Sequence, residues 1–403
     1  MEALLNATIW ASAIALIPLS FTVFWDNDFG LFYIAFFGAL IMLTVWPIIQ
    51  EFIFMGFTMG RKKITWPTPN SQGERLKDEE LSQIIEDLLG ENLGTKHPIV
   101  YSPGYNITAF GLEKLHPFDS RKYGRIYNFL TEWKVLSKED KLLAPSICSR
   151  TFLYETCTFW HLALLNYSLY IGKCVELPIC FLPAWLVRWR TLNPMLRATY
   201  GTVCASFMAL QRGVAINLSG GYHHACGNQG GGFCIYPDIT IAINLLRKFC
   251  GIKKVMIIDL DAHQGNGHER DFLNDADIYI IDCFRPNIYP GDMDARKAID
   301  KELHVYPQDD DSSYLGKISC IPSCIQQFKP DFIMYNAGTD IMAGDPLSGL
   351  NISEEGVIQR DELVIRSASD NNVPLCMVLS GGYQKCNAEC IAKSIQNVFE
   401  LLE

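Results

Sequence analysis

The chain has 403 residues, enough for one large α/β domain or two smaller ones. Its formal net charge is −10 and its longest basic run is Arg61-Lys62-Lys63, which excludes a basic nucleic-acid-binding surface. Its 14 cysteines are scattered through predicted strands and helices, unlike a small secreted scaffold, and read as reduced thiols of a cytosol-facing domain. The pairs Cys320/Cys324 and Cys386/Cys390 have helical spacing and read as buried structural thiols rather than a second metal site. Asn-x-Ser/Thr triplets begin at Asn6, Asn106, Asn217 and Asn351. They carry little weight, because Asn217 falls in a predicted core strand.

Residues 1–60 differ in kind from the rest of the chain. No Lys or Arg precedes Arg61. Ala7–Trp25 is almost wholly apolar, Asp26-Asn27-Asp28 interrupts it, and Phe29–Ile49 is apolar again. Each run approaches the roughly 20 residues that span a bilayer core. A cleaved signal peptide would need a basic start and a shorter apolar run. Residues 1–63 are therefore predicted to be a membrane anchor of two spans, with residues 1–60 as the membrane contact. Arg61-Lys62-Lys63 would hold the following domain on the cytosolic side. The alternative is a buried apolar hairpin, in which case a nuclear location is open. Residues 64–95 are polar, contain Pro67, Pro69 and Gly73, and read as a linker followed by a helix over Asp78–Leu89. The catalytic domain is expected over residues 96–403.

Within that domain, five short apolar runs rich in Val and Ile have strand length: Gly213–Leu218, Lys254–Leu260, Asp277–Asp282, Asp331–Asn336 and Val373–Leu379. Most show little polar alternation, as strands covered on both faces should. Helical patterns separate them. One runs from Pro237 to Cys250 with Pro in its first turn. Another runs from Ser353 to Asp370, with Ser353 as N-cap and Glu354 and Glu355 in the first turn. The alternation predicts an α/β fold around a mostly parallel sheet.

The chemistry-bearing residues follow the same runs. His223 and His224 come after the first, Asp261 and His263 after the second, and Asp282 ends the third. Asp340 follows the fourth and Tyr383 the fifth. Ligands of open parallel sheets bind at the carboxyl edge of the strands, so residues scattered in sequence should converge there. The set matches a single-zinc amidohydrolase. Aspartates and a histidine can hold the metal, paired imidazoles can handle protons, and a tyrosine can polarise a carbonyl.

From about Lys96 to its C-terminus the chain resembles a class IV histone deacetylase. The motifs that carry the resemblance are His97-Pro98-Ile99-Val100-Tyr101-Ser102-Pro103, Gly111–Asp119, Gly230-Gly231-Gly232-Phe233-Cys234, Ile258–Gly267, Asn336-Ala337-Gly338-Thr339-Asp340 and Ser380–Lys385. The resemblance implies the arginase/deacetylase-like three-layer fold, with helices on both sheet faces. It implies zinc-dependent hydrolysis of acyl-lysine amides in histone or non-histone proteins. It assigns zinc to Asp261, His263 and Asp340, pairs His223 with Asp259 and His224 with Asn266, and lets Tyr383 hydrogen-bond the scissile carbonyl. Phe233 would line the acyl-lysine tunnel. A structural potassium ion would sit near Asp259, Asp261, His263 and Asp282. The family includes enzymes that favour long fatty acyl chains over acetyl.

Spacing agrees with the ligand assignment. Asp261 and His263 alternate along an extended backbone and so point to one side. Asp340 would complete three protein ligands and leave positions for water and substrate. The charged Asp259 would hold His223 as an electrostatic element, while the neutral Asn266 would leave His224 freer to act as base and then acid. His161 and His268 read as structural or surface residues. Gly230–Gly232 and Gly265-Asn266-Gly267 fit no phosphate loop. One stretch departs from the family: residues 142–165 do not align with its acidic loop and Val-His-Thr-x-x-Tyr-Leu segment. Two rival functions remain. A two-metal ureohydrolase would place a bridging acid where Gly265 stands, and a membrane-tethered inactive protein would only bind acylated partners.

Overall fold

The computed structural model describes residues 97–402, apart from 109, 110, 112, 114–116, 138, 139 and 141, together with Gly38, Val45, Trp46 and residues 48–53. The expected anchor of 1–63 lies almost wholly outside the described residues, and the linker of 64–95 with its helix Asp78–Leu89 lies wholly outside them. Among the described residues, no helix is long and apolar enough to cross a membrane.

A seven-stranded parallel sheet organises residues 97–402. Its strands are β1 (Ile99–Val100), β2 (Val214–Asn217), β3 (Val255–Asp259), β4 (Ile278–Phe284), β5 (Lys301–His304), β6 (Phe332–Asn336) and β7 (Leu375–Val378), in the order β1-β2-β7-β6-β3-β4-β5. The five expected strands are all present. The third extends to Phe284, which puts Asp282 inside the strand rather than at its end. The two unexpected strands are the sheet edges. β1 has only two residues, and β5 is mixed in polarity and half-exposed, so neither forms an apolar run.

Helices cover the sheet in two groups. On one side α6 (Asn193–Arg212) lies across β1, β2 and β7 and packs on α7 (Asp238–Cys250). On the other, α11 (Glu354–Asp370) and α12 (Asn387–Leu402) pack together, with α1 (Lys122–Glu132) against α12. Ser353 caps α11 as its sequence predicts, its hydroxyl accepting from Gly356 N at 3.1 Å. This is the expected three-layer arginase/deacetylase-like architecture. The departing stretch 142–165 folds into α2 (Arg150–Leu153) and α3 (Phe159–Leu164), capped by Ser149 and Thr158. It docks on the loop beyond the histidine pair, where Thr158 N donates to Gly227 O at 2.7 Å.

The thiols need one correction. Cys324 and Cys390 are buried as expected, but Cys320 is half-buried and Cys386 exposed. Both precede the first residue of a helix, before the chain has turned its packed face inward.

Candidate active site

Register brings the candidate residues together. Asn217, Val378, Asn336, Asp259 and Asp282 are paired in one row across β2, β7, β6, β3 and β4. The loops that leave this row therefore emerge side by side at the carboxyl edge, and they carry His223, Asp261, Asp340 and Tyr383.

The histidine loop is pinned from below. The buried Asp238 at the start of α7 accepts from Gly221 N at 2.9 Å and Tyr222 N at 2.8 Å. Gly221 has φ +80°, and a Cβ there would stand 2.8 Å from Ser380 N, so both conformation and space require glycine. His223 Nδ1 lies 3.0 Å from Asp259 Oδ2 and His224 Nδ1 lies 2.9 Å from Asn266 Oδ1. The two expected pairings are present, with ring centroids 4.1 Å apart.

Their surroundings push the two imidazoles in opposite directions. Burial alone would lower His223, but Asp259 and Asp261 outweigh it and hold the ring up to about 9. Burial and the neighbouring His223 and His263 push His224 well below the usual histidine range. These surroundings favour the charged form of His223 and the neutral form of His224. Both Oδ1 of Asn266 and Oδ2 of Asp259 are acceptors, so each histidine carries a proton at Nδ1. The lone pair of His224 is left at Nε2.

Asp261, His263 and Asp340 form the candidate metal centre. They are buried, and one donor atom from each lies within 4.8 Å of the others. His263 Nδ1 is 3.2 Å from Asp261 Oδ1 and 2.8 Å from Asp340 Oδ2. Donors about 2.0 Å from a tetrahedral zinc stand roughly 3.3 Å apart, so the set fits that ion. Burial and the Asp261 charge push the Asp340 carboxyl up to about 7, as expected where two buried carboxylates call for a cation. Backbone amides orient both acids: Gly381 N donates to Asp261 Oδ2 and Ala262 N to Asp340 Oδ1, each at 2.8 Å.

Tyr383 is half-buried beside this centre. Its ring centroid is 6.1 Å from that of His263, near-perpendicular, and its backbone N donates to Asp345 Oδ2 at 3.1 Å. Burial and the nearby Asp340 and Asp261 raise its phenol well above the usual tyrosine range, so it keeps its proton and can donate. Phe233, at φ +62°, lines the same pocket, with Phe118 4.9 Å away between centroids.

Several contributors were not legible in the sequence. His268, expected to be structural or surface, is buried with Nε2 2.8 Å from Asp259 Oδ2, so Asp259 holds two imidazoles. His161, by contrast, is structural as expected, held between Tyr170 Oη and Ile235 O at 2.9 Å each. Tyr289 stands edge-on to His224, centroids 4.8 Å apart. Lys122, on α1, is fully buried, and its Nζ donates to Ser380 O at 2.5 Å and Gly381 O at 2.8 Å. Burial pushes its amine down to about 8, against the pull of Asp340 and Asp261. Arg360 is fully buried on α11 and pairs with Asp361 at 2.8 Å. It donates to Leu260 O at 3.3 Å and to Ala337 O at 3.4 Å, which ties the loops of Asp261 and Asp340 together. Breaking one side of a buried charge pair costs about 3–5 kcal/mol. Arg360→Met is expected to lower the denaturation midpoint accordingly and to weaken metal retention. An unchanged midpoint would show that the side chain is replaceable packing.

Comparison with known proteins agrees with this geometry. The histone deacetylase domain family matches residues 116–402. The chain belongs to the histone deacetylase family. It is 42% identical over 306 residues to histone deacetylase 2 of Arabidopsis thaliana, a match covering 75% of this chain and 79% of that protein. It is 30% identical over 292 residues to an uncharacterised Picosynechococcus protein, covering 72% and 92%. The crystal structure of the HDA15 HD domain superposes with a TM-score of 0.63 at 19% identity, over 76% of this chain and 88% of that one, and shares the fold. A member of this family is an amide hydrolase of the deacetylase type.

Proposed function

We propose that this deacetylase is a class IV zinc enzyme that hydrolyses N6-acyl-lysine amides in proteins. The observation that carries the reading is the meeting of two oppositely tuned histidines with the buried Asp261, His263 and Asp340 at one sheet edge. Those three residues would hold the zinc, with His263 neutral and bound through Nδ1. When bound, zinc acts as a Lewis acid that polarises an amide carbonyl and acidifies water. His224 accepts the water proton at Nε2 and returns it to the leaving lysine amine. His223, kept charged by Asp259, stabilises developing negative charge. Tyr383 donates its phenol proton to the substrate carbonyl oxygen, and Phe233 lines the tunnel for the acyl-lysine arm.

Potassium is proposed behind the zinc, near Asp259, Asp261, His263 and Asp282. In support, Asp282 Oδ1 and Glu269 Oε1 are buried without a hydrogen-bond donor. Burial and the charges of Asp259 and Glu269 push the Asp282 carboxyl well up. The two-metal ureohydrolase is disfavoured because a Cβ on Gly265 would collide with His268 and Asp259, leaving no room for a bridging acid.

The preferred substrate is proposed to carry a long acyl chain. Each methylene fully buried in an apolar tunnel contributes roughly 0.8 kcal/mol, and that binding accelerates chemistry only where it is realised in the transition state. Kinetics on one peptide bearing either acetyl- or myristoyl-lysine, with zinc content measured on the same sample, tests both parts. Higher kcat/KM on the myristoyl peptide is expected. Equal or better efficiency on acetyl defeats the chain-length preference, and absence of turnover on either favours the inactive binding protein.

Residues 1–63 are proposed as the membrane anchor, 64–95 as linker and 96–403 as the catalytic domain facing the cytosol. The support is the composition of residues 1–60. Carbonate extraction should leave the full-length protein in the membrane fraction, and release into the supernatant would remove the anchor.

A further inference from the structure

Residues 160–189 carry a set of solvent-facing aromatic and leucine side chains, and neither the fold nor the chemistry requires it. Trp160, Leu164, Leu169, Phe181, Trp185 and Trp189 are 61, 36, 72, 68, 69 and 54% exposed. Single exposed apolar residues need no explanation, but six within thirty positions, three of them tryptophan, mark an interaction surface. Phe181, Trp185 and Trp189 are spaced by four. The latter two fall on the outer side of one helical run, α5 (Ala184–Val187) continuing through Arg188–Leu192 into α6, whose Val187 and Leu192 are buried. Neighbouring segments are fastened alongside. Ser168 Oγ, at the start of α4 (Ser168–Cys174), donates to Leu182 O at 2.6 Å, and Arg188 donates to Asn166 Oδ1.

The charge around this stripe opposes that of the whole chain. From Phe159 to Tyr200 the charged side chains are Lys173, Arg188, Arg190 and Arg197 against the single acid Glu176, a balance of +3 in a chain of −10. Arg190 and Arg197 line a recess together with Trp189 at the end of the stripe. Tryptophan bodies flanked by arginines suit the headgroup level of an anionic bilayer. A second copy of the chain fits less well, because a two-fold interface would set this net-positive face against an identical one. The position is informative too. Cys174 O, at the end of α4, accepts from Phe233 N at 3.1 Å, so the helix that carries Leu169 is tied directly to the backbone of a pocket-lining residue.

We propose that the exposed face built from Trp160, Leu169, Phe181, Trp185 and Trp189 docks the catalytic domain onto an anionic lipid bilayer and presents the tunnel next to the headgroups. The docking is separate from the N-terminal anchor and from the deacylase chemistry.

Two exposed native thiols report on it. Cys180 adjoins Phe181, whereas Cys386 lies three residues beyond Tyr383. Full-length protein is mixed with phosphatidylcholine vesicles with or without phosphatidylserine, and labelling of each thiol by a membrane-impermeant maleimide is timed by mass spectrometry. Several arginines beside an anionic surface add to one another's attraction, so phosphatidylserine should slow Cys180 at least about tenfold while Cys386 keeps its rate. Phe181→Ser combined with Trp185→Ser should restore the Cys180 rate and leave turnover on a soluble acetyl peptide unchanged. Flotation with the phosphatidylcholine-only vesicles scores the anchor by itself. Protein that floats while Cys180 reacts at one rate throughout overturns the docking face and leaves the anchor standing. Equal slowing of both thiols also overturns it, as does Cys180 protection that grows with protein concentration without lipid, which would assign the face to a second copy.

Discussion

Asp340→Ala is expected to yield a folded protein with no stoichiometric zinc and no measurable turnover. The fold does not need this carboxylate. Burial and Asp261 already push the group up to about 7, so its charged form opposes the packed interior until a cation joins it. Its removal relieves that repulsion and deletes one of the three donors that lie within 4.8 Å of one another. Two protein donors retain a catalytic zinc poorly. The measurement pairs metal content by mass spectrometry with the thermal midpoint. Chelator-treated wild type should resemble the variant in activity but, unlike it, regain turnover on adding zinc. Full activity in a zinc-free Asp340→Ala protein would refute the metal assignment.

Tyr383→Phe should retain metal and fold yet lose roughly two to three orders of magnitude in kcat, as with removal of other oxyanion donors. The expectation rests on protonation as much as on position. Burial with Asp340 and Asp261 nearby keeps the phenol protonated through neutral pH, so it is a donor throughout the working range. The ring's edge-on packing on His263 and Phe118 does not involve the hydroxyl, and Phe preserves it. Loss of binding alone would raise KM and spare kcat; loss of transition-state stabilisation lowers kcat. A variant with wild-type kcat would reduce Tyr383 to a packing residue.

The five central strands were legible because nearly all their positions are buried, which leaves little polar alternation before the polar residues at the carboxyl edge. The edge strands β1 and β5 were not, because an edge tolerates a two-residue strand or half-exposed polar positions. Asp261, His263, Asp340 and Tyr383 were legible because their types are rare together and each comes after a strand. Lys122 and Arg360 were hidden for the opposite reason. A cation in a helix reads as solvent-facing, and only the packing of that helix against distant loops turns its donors towards Ser380, Gly381, Leu260 and Ala337.

By itself, the order of residues determined strand type, the polarity of the sheet and the inventory of groups at its carboxyl edge, since alternation and strand-end position are local properties of a chain. It could not determine which charges would be felt together. Asp259 serves both His223 and His268, His223 is held charged while His224 is kept neutral, and Asp340 is pushed up beside Asp261. These relations arise only once the strand register closes gaps of up to some eighty positions to hydrogen-bond distance within a buried interior. Coulomb interactions and desolvation depend on separation in space and on burial, and neither is written in the spacing of residues along the chain.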